Sequence, residues 1–196
     1  SSNTVILLTA DHGDMLGEHG LWFKKHFIDH ASRVPLIVHA PEYFSSGRSL
    51  VNVSLVDLLP TLCDLAEFKV GEHAPQALDG SSLVSQCEHP EHANSRAVYA
   101  DITAEGVPAP IFMVRSRKYK LIQGGDVPPV LYDLANDPEE RSNVADEPEL
   151  SDTRRSLESL IQDCWDRASL ERDIRLSQRR RRLVHAAHQK GTAPVW

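Results

Sequence analysis

Thr9-Ala10-Asp11-His12-Gly13-Asp14-Met15-Leu16-Gly17-Glu18-His19-Gly20-Leu21-Trp22-Phe23-Lys24 comes directly after Asn3-Thr4-Val5-Ile6-Leu7-Leu8, an apolar run without alternation. A run of that kind predicts a strand covered on both faces in a parallel α/β sheet, since a strand with one wet face alternates polar and apolar residues. Asp11 and His12 then fall at the carboxyl end of the strand, the edge where loops of open α/β sheets converge on ligands. Asp-His-Gly by itself is also an ordinary turn, in which Asp favours the bend and Gly supplies positive φ. The wider stretch favours a site: a carboxylate, an imidazole and the Lys24 ammonium suit a cation and an anion together. Working outward, Ser32-Arg33-Val34-Pro35-Leu36-Ile37-Val38 reads as a second buried strand opened by a proline.

The order DHG, then Leu16-Gly17-Glu18-His19-Gly20-Leu21-Trp22-Phe23-Lys24, then Arg33-Val34-Pro35-Leu36-Ile37-Val38 resembles the sulfatase family of the alkaline phosphatase superfamily. Further segments are similar to the same family. Val56-Asp57-Leu58-Leu59-Pro60-Thr61-Leu62 matches its VDLxPTL helix, and Asp79-Gly80-Ser81-Ser82-Leu83 its DGxSL segment. Arg117-Lys118-Tyr119-Lys120-Leu121 and Leu131-Tyr132-Asp133-Leu134 through Asn143 resemble signatures of its small C-terminal subdomain. Ser177-Gln178-Arg179-Arg180-Arg181-Arg182-Leu183-Val184 is similar to the C-terminal extension of the choline-sulfatase branch. In that branch the extension joins the subunits of a homotetramer. The resemblance implies the C-terminal part of an alkaline phosphatase-like α/β fold. It consists of parallel-sheet strands, a small antiparallel subdomain and a helical tail, which we divide at residues 1–95, 96–147 and 148–196.

Local patterns support these boundaries. Leu58, Leu59, Leu62, Leu65 and Ala66 recur at helical spacing, and Pro60 restricts that helix to one in which it lies in the first turn. Residues 69–95, rich in Gly, Pro, Ser, His and Glu, read as a surface connection. Residues 97–101, 111–115, 118–122 and 130–134 are short apolar runs spaced as in an antiparallel sheet. Asp137-Pro138 starts a turn, and Asn143 caps the segment after it. Leu157, Leu160, Ile161, Cys164 and Trp165 form one stripe of a helix, and a second helix is expected from about Leu170 to His188.

Composition narrows the classes. The chain has 196 residues, 41% of them hydrophobic, and a formal charge of -7, which disfavours a generic nucleic-acid binder. The four consecutive arginines suit either an anionic partner or a solvated or interface helix, and the acidic balance favours the latter. No apolar run approaches the ~20 residues that span a bilayer, so no membrane partner is expected. The three cysteines lie too far apart for a metal spacing or a disulfide framework, which predicts reduced thiols in a cytoplasmic setting. Cys63 and Cys164 fall on apolar helix faces and are expected in the core. A chain that opens on a strand with no initiator methionine reads as the C-terminal portion of a larger enzyme.

The resemblance also assigns roles. Asp11 and His12 match two metal ligands, with Ca²⁺ the first expectation; an imidazole ligand keeps Mn²⁺ as the second. Lys24 matches a catalytic lysine that holds a sulfate oxygen and the bridging ester oxygen. Asp29, five residues on, stands where the family often has Glu. His19 is given a supporting role. Asp101 and Glu105 resemble the acidic positions of a segment written ExxAEG, the first of which binds a trimethylammonium group. The implied reaction is hydrolysis of a sulfate ester, choline sulfate foremost, by a formylglycine nucleophile upstream of this chain. Another sulfatase, a phosphonate or phosphate ester hydrolase, and a non-catalytic oligomerisation module remain as alternatives.

Overall fold

In the computed structural model, the structure describes residues 4–69, 77–92, 96–103, 107, 109–125 and 127–191. The apolar runs at either end of the opening motif form β1 (Ile6–Thr9) and β2 (Leu36–His39), with a single-turn helix α1 (Asp29–Ser32) between them. β1 and β2 pair antiparallel, Ile6 opposite His39 and Thr9 opposite Leu36, which corrects the expected parallel arrangement. An unalternating apolar run reports covering on two faces and carries no information on strand direction. The burial expected of these strands also differs, since Ile6, Leu8 and Ile37 are 54%, 53% and 57% exposed.

Next comes a 3₁₀ turn, Leu55–Asp57, which leads into α2 (Leu58–Leu65) and places Pro60 in the first helical turn, where a missing N–H costs nothing. Asp57 is fully buried and serves as a hub. Its carboxylate accepts the backbone N–H of Ser54 (2.7 Å) and of Ser81 (3.0 Å), and it pairs with the Arg96 guanidinium. Thr61, also buried, donates to the Asp57 carbonyl and accepts the Leu83 N–H. Gly80 fits against this hub because a Cβ there would lie 2.0 Å from the Val56 carbonyl oxygen. The connection contains one short helix, α3 (Val84–Glu88).

The four remaining apolar runs are β3 (Val98–Ile102), β4 (Ile111–Ser116), β5 (Tyr119–Gly124) and β6 (Val130–Asp133), an antiparallel sheet in sequence order. α4 (Ser151–Cys164) lays Leu157 and Ile161 on this sheet against Phe112, Val114, Leu121 and Leu131. Trp165 closes the layer over Phe112, with ring centroids 4.8 Å apart. Asn143 does cap locally: its side-chain oxygen accepts the N–H groups of Leu131 and Ala145. Cys164 is exposed rather than part of the core, whereas Cys63 is half-buried. The stripe that carries Leu157 and Ile161 ends at Trp165, and Cys164 sits on its margin. α5 (Arg167–Lys190) opens with Asp166 accepting the Ser169 N–H, and Arg167 reaches the Gly125 carbonyl at 2.6 Å. Residues 179–189 of this helix are exposed.

Candidate active site

The site grows from the loop after β1. Gly13 donates its N–H to the Ala31 carbonyl (2.9 Å), and a Cβ at this position would sit 2.0 Å from the His30 carbonyl oxygen, so only glycine permits the loop to close on α1. That closure fixes the two residues before it. The His12 N–H donates to Asp11 Oδ1 (2.9 Å), and the other carboxylate oxygen lies 3.3 Å from His12 Nε2. His12 Nδ1 is 2.8 Å from the Gly13 carbonyl, which can only accept, so the proton sits on Nδ1 and Nε2 presents its lone pair. Lys24 Nζ reaches that lone pair at 2.6 Å. The His12 N–H, aided by the nearby imidazole and the Lys24 ammonium, holds the Asp11 carboxyl below the usual carboxylate range.

Asp11 and His12 therefore offer one oxygen and one nitrogen at the spacing of neighbouring ligands around a divalent cation with bonds of about 2.0–2.5 Å. The pair fits a metal. The imidazole nitrogen suits Mn²⁺ better than Ca²⁺, while the carboxylate suits either.

Between Gly17 and Lys24 the chain makes a 3₁₀ turn, Glu18–Gly20, entered through Gly17 at φ 101°. His19 leaves the site and accepts no role in it: its Nε2 is 3.0 Å from the Glu139 carbonyl, tying the turn to the loop after β6. His26 donates its backbone N–H to the Lys24 carbonyl (2.7 Å), and burial, with the charges of His19 and Lys120, pushes its imidazole below the usual value. Asp29 is the centre of a further ion-pair group. Its carboxylate pairs with Lys120, and with Arg115 and Arg33 at 3.4 Å and 3.7 Å, while its N–H donates to Glu140 (2.5 Å). Lys120, 1% exposed, also donates to the Phe27 carbonyl (2.9 Å) and lies 2.6 Å from the equally buried Glu140.

A cleft of about 800 Å³ opens above these groups. Asp11, His12, Lys24 and Asp101 all line it, although Asp101 belongs to β3 of the other sheet. Glu105 lies outside the described residues. Lysine and arginine supply six of the lining side chains, against three carboxylates, so the cleft is cationic within an acidic chain. Cleft walls focus such a field and draw in anions. Partial burial and the charges of Asp79 and Asp101 push the Cys164 thiol up.

Lys120, Arg115 and Glu140 were invisible as site residues in the sequence. Lys120 alternates in step with the exposed Lys118, and Glu140 sits in an acidic turn that looks solvated. The one available signal was Asp29, an acidic residue directly after the apolar pair Phe27-Ile28, which requires cationic partners when covered.

A protein-family profile described as N-sulphoglucosamine sulphohydrolase, C-terminal, matches residues 17–166. A choline-sulfatase of Rhizobium meliloti (strain 1021) is 36% identical over 198 residues, covering 99% of this chain and 38% of that protein. Arylsulfatase K of Gallus gallus is 35% identical over 152 residues, covering 72% of this chain and 28% of its own length. Among solved structures, the phosphonate monoester hydrolase of Agrobacterium radiobacter superposes with a TM-score of 0.67 at 26% identity, covering 88% of this chain and 36% of that one. The fold is that of an alkaline phosphatase-like hydrolase. The chain belongs to the sulfatase family. It spans well under half the length of the curated relatives it matches.

Proposed function

We propose that the protein of which this chain forms a part hydrolyses a sulfate ester, with choline sulfate as substrate. The observation that carries this reading is the convergence of Asp11, His12, Lys24 and Asp101 on one cationic cleft. A divalent cation, Ca²⁺ before Mn²⁺, and a formylglycine contributed from outside this chain supply the Lewis acid and the nucleophile. Asp11 and His12 would hold the cation, and the Nδ1 contact of His12 to the Gly13 carbonyl leaves its other ring nitrogen as the one that could bind it. Lys24 binds a sulfate oxygen and the bridging oxygen, so that its ammonium offsets negative charge growing on the departing alkoxide. Asp101, exposed at the cleft wall, faces the cationic end of the substrate. A quaternary ammonium has no N–H to donate, so a carboxylate at a distance and aromatic surface are what recognise it. In this reading Glu105 assists Asp101, α5 joins copies of the chain into a homo-oligomer, and the three unpaired thiols suit a cytoplasmic location.

The test is turnover by the full-length enzyme of choline sulfate, aryl sulfates and phosphonate esters. Lys24→Ala is expected to lower kcat by about 10²–10³-fold. Asp101→Ala is expected to raise KM for choline sulfate alone, leaving aryl sulfates unaffected. Turnover of phosphorus esters only would replace the sulfatase reading with the phosphonate one, which the Agrobacterium structure supports.

A further inference from the structure

We propose that the turn His89-Pro90-Glu91-His92, none of whose residues lines the cleft, is a second metal site that takes a borderline divalent ion of the Zn²⁺ class. His89 Nδ1 lies 3.7 Å and His92 Nε2 3.6 Å from the same oxygen, Glu91 Oε1. All three ligand atoms fall within 4.8 Å of one another. Bonds of about 2.0–2.2 Å place tetrahedral ligands roughly 3.3–3.6 Å apart, so the 3.6 Å separation already reaches that of a bound site and the 3.7 Å one lies just beyond it. The third closes by side-chain rotation, which is inexpensive for exposed imidazoles.

The backbone beneath is held before any ion arrives. Gln86 Nε2 is shared among the carbonyls of His89, Pro90 and His92 at 3.3–3.4 Å, and the His92 N–H donates to the His89 carbonyl at 3.0 Å. Pro90 seats the turn against Gly47, where a Cβ would approach its Cγ to 2.5 Å. The imidazole rings stack with centroids 4.8 Å apart, both nitrogens turned to the carboxylate. Two imidazoles and one carboxylate select Zn²⁺, Ni²⁺ or Cu²⁺ over Ca²⁺ or Mg²⁺, which prefer oxygen. Three protein ligands leave a coordination position for water. This site stands apart from the cleft, and its fate does not depend on the sulfatase reading.

The chain is stripped of metal and titrated with Zn²⁺ by equilibrium dialysis, using Asp11→Ala/His12→Ala as background so that the cleft pair cannot contribute. One Zn²⁺ per chain is expected, insensitive to excess Ca²⁺. Adding His89→Ala and His92→Ala abolishes it, and either alone weakens it by at least about tenfold. Equal Zn²⁺ uptake with and without the two imidazoles overturns the proposal. So does a thiolate-to-metal charge-transfer band on Co²⁺ substitution, which would assign the ion to cysteine. Circular dichroism of each variant confirms that these exposed positions leave the fold intact.

Discussion

Leu121 and Leu131 in the four-stranded sheet are fully buried, whereas Leu8 in β1, no less apolar, is 53% exposed. The same contrast holds among helices: α4 buries Leu157 and Ile161, while α2 leaves Leu59 and Leu62 about half exposed and instead buries Thr61, beside the buried Asp57 of the turn before it. One region is held by packed hydrocarbon. The other joins a smaller apolar cluster, Met15, Ile28 and Ala31 with Tyr132, to polar hubs: Asp57 with four backbone and side-chain partners, Gly13 on Ala31, and Asp29 on Lys120. An apolar pattern thus states which side chains are fit for burial, not which of them this chain covers.

The contrast can be broken first by core truncation. Leu121→Ala is expected to cost about 2–5 kcal/mol in chemical denaturation, whereas Leu8→Ala should cost less than about 1 kcal/mol. Similar losses at both positions would mean that the two regions are stabilised alike. A comparable effect is expected from the polar hub. Lys120→Met strands the Glu140 carboxylate in the interior and should cost about 3–5 kcal/mol, while adding Glu140→Gln should recover most of it. No recovery in the double variant would indicate that Lys120 contributes through packing of its stem. Smaller still is the loss from Thr61→Val, about 1–3 kcal/mol, because the Leu83 N–H keeps no acceptor in the buried joint.

The smallest effect is a pH dependence. Burial alone would raise the Asp133 carboxyl, but the hydrogen bonds from Lys118, Ala135 and Asn136 outweigh it and lower its value. A lowered folded value contributes stability above the ordinary carboxylate range that is lost as pH falls through the lowered value. The bond to Asp133 raises Lys118 in turn, so its contribution is complete below the ordinary lysine range and is lost as pH rises through the raised value. Asp133→Asn should flatten both ends of the stability profile measured by thermal unfolding against pH, with little change at pH 7.

Much of the architecture was legible in the residues. All four strands of the antiparallel sheet, α4 and α5 fall within a few residues of their sequence patterns, because period and punctuation are local properties. The direction of β1 against β2 was not legible, since pairing depends on where a 26-residue connection returns the chain. The family pattern named Asp11, His12, Lys24 and Asp101, but the approach of Lys24 to His12 and the common cleft of Asp11 and Asp101 come from the folded chain. Lys120 and Glu140 were hidden because burial of a charge is decided by partners distant in sequence; the ammonium at 120 meets a carbonyl at 27 and carboxylates at 29 and 140.

That ion group gives the antiparallel sheet a second task. The segment from Lys24 to Asp29, which carries one side of the cleft, is bolted through Phe27 and Asp29 to Lys120 of β5, itself at the cleft, and to Glu140 in a turn outside the cleft lining. Damage at Glu140, in a turn that looks like ordinary surface, therefore loosens the floor under Lys24, and a screen for impaired turnover would flag it alongside residues that touch the substrate.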